Sequence, residues 1–195
     1  MSNNPLSGSL LKWIEEGYKQ FAIDGPDEFH VEKLAKSLGL NKSGFYHYFV
    51  DRESFFEALL EYHHEENNRF CKEISESKYF DPDYLNLVLK YKYAVFFQKQ
   101  LRANSDNPKF RETFLSVWKN NEKVLLPLWS MHLKIQGNMT LASELWGIFR
   151  DVFFMRARIE ILDMAFLHSL SYEFTSVLEV LKKHSEKQGK RGFVK

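Results

Sequence analysis

Apolar residues recur along this chain at three- and four-residue intervals, with charged residues filling the positions between them. That period belongs to amphipathic helices, and no run alternates apolar and polar residues between turn signals as a strand would. The breakers set the boundaries. A first helix is predicted over residues 9–23, stopped by Asp24-Gly25-Pro26, with two short ones following over 31–38 and 42–49. A longer helix starts at Arg52 and runs toward Ser75. Asp81-Pro82 opens the next, Asn107-Pro108 opens another, and Pro127 kinks or splits that one. Gly137-Asn138 precedes a long helix expected over 140–162, and a last helix is expected over 167–187, leaving a solvated tail, GKRGFVK. The fold class predicted is all-α.

Composition changes this picture in two places. Aromatic residues make up 16% of the 195, with 18 Phe among them, more rings than packing by Leu, Ile and Val would call for, so some are expected at a cavity or an interface. A single cysteine, Cys71, excludes an intrachain disulfide framework and makes a reducing compartment the default. No basic flank leads into an apolar run at the start, and no window nears 18 uncharged apolar residues. Neither a secretory signal nor a membrane span is expected, and the chain is expected in the cytoplasm. An enzyme would need a nucleophile, a base or a metal cluster. His63-His64-Glu65-Glu66 are adjacent and diverge around a helix, without the four-residue spacing of a helical zinc site. No catalytic residue, metal or cofactor is expected.

The stretch Leu34–Phe49, LAKSLGLNKSGFYHYF, carries the strongest local signal. Leu34, Ala35 and Leu38 form one inward face. Gly39 stands where a helix C-terminus favours positive φ, which glycine adopts without steric cost. Leu40 is expected to plug the angle between two helices, and Asn41 to cap the next through its side-chain oxygen. Phe45 and Phe49, four apart, point back into the same core. Lys42, Ser43, Tyr46, His47 and Tyr48 are left without core duties on a helix too short to stand alone. Asp51 is placed to cap the helix that follows. Two helices joined by such a turn form a helix-turn-helix, whose second member enters the major groove of DNA. Helix pairs with a glycine turn are common, so spacing alone leaves the function open.

The order of residues is more specific. The run AKSLGLNKSGFYHYFVDRESFFEALL resembles the signature of the TetR (tetracycline repressor) family of bacterial transcription regulators. The likeness rests on Ala35, Gly39-Leu40, Asn41, Gly44-Phe45-Tyr46-His47-Tyr48-Phe49 and Arg52-Glu53, with Ile14, Gly17, Tyr18, Phe21 and Gly25 upstream, and covers residues 10–62. It implies a DNA-binding domain over residues 1–51 that continues into a linking helix over about 52–75, and a helical ligand-binding and dimerisation domain within 52–195. It implies phosphate contacts for Tyr46, His47 and Tyr48, base-edge contacts for Lys42 and Ser43, and close approach of the duplex at Gly44. Arg52 matches a phosphate clamp, and His30 lies near a backbone-contacting position. The electrostatics pull the other way. Residues 1–65 hold six basic and eleven acidic side chains, a net −5, although none of the acids falls strictly between Glu32 and Asp51.

Beyond the head, Leu141, Leu145, Ile148, Val152, Met155 and Ile159 step by four and three, a heptad-like seam, and Phe174, Val177 and Leu181 continue it on the last helix. The resemblance implies a homodimer built on these two helices. A second stripe, Trp146, Phe149 and Phe153, is expected to face inward. Together with Phe96, Phe97, Phe114, Trp118 and Trp129 these rings suggest a pocket for an apolar or aromatic effector, and Arg156 extends the stripe toward an anionic group. The function expected is a ligand-responsive regulator, read as a repressor, that binds a palindromic operator as a homodimer. The alternative is a helical ligand- or protein-binding dimer without operator binding.

Overall fold

The structure is a computed structural model describing the backbone of residues 8–191 and the side chains of residues 8–184. The described residues contain no strand. They form α1 (Gly8–Asp24), α2 (Val31–Leu38), α3 (Lys42–Tyr48), α4 (Arg52–Glu76), a π-helical turn (Phe80–Tyr84), α5 (Leu85–Lys90), α6 (Lys92–Ala103), α7 (Pro108–His132), α8 (Met139–Arg156) and α9 (Met164–Arg191). None of these helices is long and apolar enough to cross a membrane. The predicted all-α class is what the chain adopts. The side chains of the predicted solvated tail lie outside the described residues.

Three boundaries differ from the periodicity reading. The helix opened by Asp81-Pro82 is two helices, interrupted at Tyr91, where no glycine or proline marks the break. α7 continues through Pro127 as one element. α8 stops at Arg156 rather than near Leu162; Ala157 takes an extended conformation, and the backbone N–H of Phe166 is capped by Asp163 at 2.7 Å as α9 begins.

The chain divides into two compact units. One comprises the chain through Ser77 with Lys90–Leu125, the other Lys78–Leu89 with the chain from Leu126 onward. In the first, α1 buries Trp13, Ile14, Tyr18 and Phe21 and packs chiefly on α6, whose Phe97 ring stacks on Tyr18 at 4.5 Å and Phe21 at 4.3 Å. Gly17 lets α1 approach α4: a Cβ there would sit 2.2 Å from the Phe55 ring. The second unit is centred on rings. Trp129 lies within 4.9–5.7 Å of Phe80, Trp146, Phe149 and Phe174, and Ala142, Phe153, Leu167 and Leu170 close the core around them.

Candidate nucleic-acid interface

The first unit presents α3 in the manner its sequence suggested. Gly39 is left-handed at φ 65°; its N–H donates to Lys36, and that of Leu40 to Ala35, so α2 ends in a tight turn. Behind α3, Phe45 is fully buried, with ring neighbours in Trp13, Phe49 and Phe55 at 5.8, 5.1 and 5.1 Å. α4 starts from a reciprocal capping box: Asp51 accepts from the Ser54 N–H at 2.8 Å, and the Ser54 hydroxyl accepts from the Asp51 N–H. These hydrogen bonds hold the Asp51 carboxyl below its ordinary range. A seven-residue helix is thereby held by its neighbours.

Two local expectations need correcting. Asn41 occupies the N-cap of α3 with extended backbone, but its side chain makes no capping hydrogen bond. Leu40, expected to plug the angle between the two helices, is 43% exposed and so is not part of the buried core. Gly44 has an internal reason to be glycine: a Cβ would meet the Trp13 ring at 3.3 Å, so that position faces α1.

Lys42, Ser43, Tyr46 and His47 are exposed, Tyr46 by half of its surface, while Tyr48 is half-buried. His30 is exposed immediately before α2. Three cations of this unit are engaged within the protein. The Lys42 ammonium pairs with the Glu32 carboxylate and lies 5.9 Å over the Tyr46 ring. The hydrogen bond between them lowers the Glu32 pKa and raises that of Lys42. Lys33 pairs with Asp24 at 2.6 Å. Arg52, at the head of α4, donates to the Pro26 carbonyl and stacks its guanidinium 4.9 Å over Phe56, tying α4 to the loop after α1.

Residues 14–59 match the family model described as bacterial regulatory proteins of the tetR family. The segment matched, α1 to the start of α4, is the one that holds the helix-turn-helix. No curated protein matches the sequence. Among solved structures, it is similar to a transcriptional regulator (TerR/AcrR family) from Aquifex aeolicus, at 18% identity and TM-score 0.60 over 89% of this chain and 99% of that one. It is similar also to a protein from Mesorhizobium loti assigned to the TetR-family regulators, at 15% identity and TM-score 0.58 over 92% and 98%. A third, from Rhodococcus sp. and assigned to the same family, shares 16% identity at TM-score 0.53 over 87% and 95%. At these identities the structural likeness speaks for the fold.

The residues expected at a ligand pocket are divided between the two compact units. Phe96, Phe97, Phe114 and Trp118 belong to the first unit; Trp146, Phe149, Phe153 and Arg156 belong to the second. Phe97 is committed to the packing of α1 on α6. Trp146 and Phe149 join Phe80, Tyr84 and Trp129 in the second unit's aromatic core, and Arg156 pairs at 2.5 Å with Glu173 on α9. Of the seam, Leu141, Ile148, Met155, Val177 and Leu181 are exposed, with Leu145 and Val152 half-buried. Ile159 lies in the turn beyond α8, and Phe174 packs its ring on Trp129 and Phe149 of its own chain.

Sequence reasoning missed two features of the first unit. A surface groove of about 350 Å³ runs beside Arg52, Phe56, Glu57, Lys109 and Phe110. Lys109 pairs there with Glu57 at 2.5 Å and Glu53 at 3.0 Å. The second is a buried polar chain through His63. Adjacent histidines in a charged helix gave no sign of it, since its partners lie 45 and 35 residues away.

Proposed function

We propose that this chain is a TetR-family regulator that binds a palindromic operator as a homodimer, inserting α3 into the major groove, and represses until an apolar or aromatic effector releases it. One observation carries the reading. Phe45 and Phe49 bury one side of α3 while Lys42, Ser43, Tyr46 and His47 stand exposed on the other, an arrangement suited to base-edge contacts from the first turn and phosphate contacts from the aromatic residues. The exposed apolar stripes on α8 and α9 support a dimer, and a two-fold would set two α3 helices at successive major grooves, about 34–36 Å apart. The aromatic core of the second unit supports an apolar effector. The second reading, a binding dimer without an operator, is favoured by the net −5 over residues 1–65 and by the pairing of Lys42 with an acid.

Fragmented genomic DNA, including the DNA flanking the protein's own gene, separates the two. Retention of one short palindrome by a dimer in sedimentation is expected, with Tyr46→Ala and Lys42→Ala each weakening it on the order of tenfold. A dimer that retains no duplex at any salt concentration would establish the second reading.

A further inference from the structure

The groove beside the start of α4 takes its character from helical spacing. Arg52, Phe56 and Leu60 stand four apart along one row of α4, and Glu53 and Glu57 along the next. The start of α7 completes the lining. There the Asn107 side-chain oxygen accepts from the Lys109 backbone N–H at 2.9 Å and holds the first turn, which carries Lys109 and Phe110. Phe56 is half-buried, and its ring lies 6.0 Å from that of Phe110, with Phe21 edge-on to both at 5.5 and 5.6 Å. Phe110 and Leu60 are buried, so the apolar part of the lining is fixed by the core behind it. At about 350 Å³ the groove falls in the range of small-molecule sites, about 300–1,000 Å³.

Its charges are incompletely matched. Glu53 and Glu57 share one ammonium, that of Lys109, each through a single oxygen. Two carboxylates against one cation leave a negative charge over. Arg52 forms no ion pair among the described residues; its guanidinium donates to the Pro26 carbonyl and lies over the Phe56 ring, which leaves a positive charge over. The two outstanding charges are opposite in sign, stand on adjacent rows of one helix and flank aromatic rings.

We propose that this groove binds a free α-amino acid with an aromatic or apolar side chain. Arg52 receives its carboxylate, Glu53 and Glu57 its ammonium, and Phe56 and Phe110 its side chain. A zwitterion answers both outstanding charges at once. An amine leaves Arg52 unmatched and sets a second cation beside it, and a carboxylic acid does the same to the glutamates. The arginine fork suits a carboxylate in particular, because its N–H groups can reach both oxygens. Each ionic contact lies at solvent-exposed side chains and contributes modestly, so the rings carry much of the affinity. The site belongs to the first unit alone, and the inference stands without the operator reading.

The test is calorimetric titration of the full-length protein with L-phenylalanine, with phenethylamine, which lacks the carboxylate, and with phenylpropionate, which lacks the ammonium. L-phenylalanine is expected to saturate one site per chain below about 10 mM and to bind at least about 3-fold more tightly than either fragment. Arg52→Gln is expected to weaken L-phenylalanine about 3-fold without weakening phenethylamine. Glu57→Gln is expected to weaken L-phenylalanine and phenethylamine but not phenylpropionate. Glu57 is exposed, so its variant reads the site without disturbing the core. Absence of saturation by L-phenylalanine in that range, a fragment that binds as tightly as the amino acid, or an affinity for L-phenylalanine unchanged in either variant overturns the proposal.

Discussion

The interiors of the two units are built on different terms. In the first, His63 is 1% exposed and sits in a directed chain of hydrogen bonds. Gln98 donates through Nε2 to the Phe114 carbonyl at 2.8 Å, which turns its Oε1 toward His63. His63 Nε2 lies 2.9 Å from that oxygen and must donate to it, leaving Nδ1 to accept from the Tyr18 hydroxyl at 2.7 Å. One tautomer satisfies every member, and the chain fixes α1, α4, α6 and α7 in a single register. In the second unit, Trp129 is just as buried, yet its neighbours are rings, and its indole Nε1 has no acceptor among the described residues. Hydrogen bonds specify which atoms must meet, whereas ring packing specifies only volume and shape.

Removing the polar hub is the severest test of that contrast. His63→Leu keeps an apolar side chain in the site but leaves the Tyr18 hydroxyl and Gln98 Oε1 buried without partners, each at about 1–3 kcal/mol. A loss of about 4 kcal/mol in urea unfolding is expected, a large share of the typical 5–15 kcal/mol of a folded domain. A loss below about 1 kcal/mol would mean that the chain is incidental and that the two interiors are alike.

Acid titration probes the same hub without changing its shape. Burial pushes His63 down to about 4 from 6.5, despite the Gln98 hydrogen bond acting in the opposite direction. The folded protein therefore holds this ring neutral while the unfolded chain takes up a proton. The resulting stability is complete above about pH 6.5 and is lost as the pH falls toward 4, by about 3 kcal/mol in all. Urea midpoints measured from pH 7 to pH 4 should show this loss in the wild type, superimposed on carboxylate titration. In His63→Leu the carboxylate part should remain together with that of His132, which burial also pushes down, and parallel profiles for the two proteins would remove the His63 contribution.

How much of this was legible in the sequence follows from how local each cause is. The left-handed Gly39, the Asp51 cap and the inward Phe45 and Phe49 are set by residues within a few positions of one another, and all are present as read. Asp163 was an equally local signal for the start of α9, but the apolar period running on through Ile159 and Leu162 masked it. Asn41 shows the converse, a favoured cap residue at the cap position whose side chain does not make the bond. The buried chain had no local cause at all: Tyr18, His63, Gln98 and Phe114 are brought together only by packing. The excess of rings was visible as composition, but which of them share a unit was not.

Trp129→Phe is the smallest effect expected and the most discriminating between the two interiors. The change removes ring volume from a tight core, which by itself costs stability through the cavity left behind. It also removes a buried N–H that no described residue accepts, and deleting an unsatisfied donor returns about 1–3 kcal/mol. The two contributions oppose each other, so thermal unfolding should shift by less than the equivalent of about 1 kcal/mol in either direction. Tyr18→Phe in the first unit also deletes one buried polar group, but there the group has a partner, and His63 Nδ1 is left without its donor, so a net loss is expected. If Trp129→Phe costs as much as Tyr18→Phe, the indole N–H is satisfied in solution and the second unit is as specifically wired as the first. If it costs nothing, relief of the orphan donor has offset the cavity, and the contrast stands: the first interior loses a hydrogen bond where the second loses only an unpaired N–H.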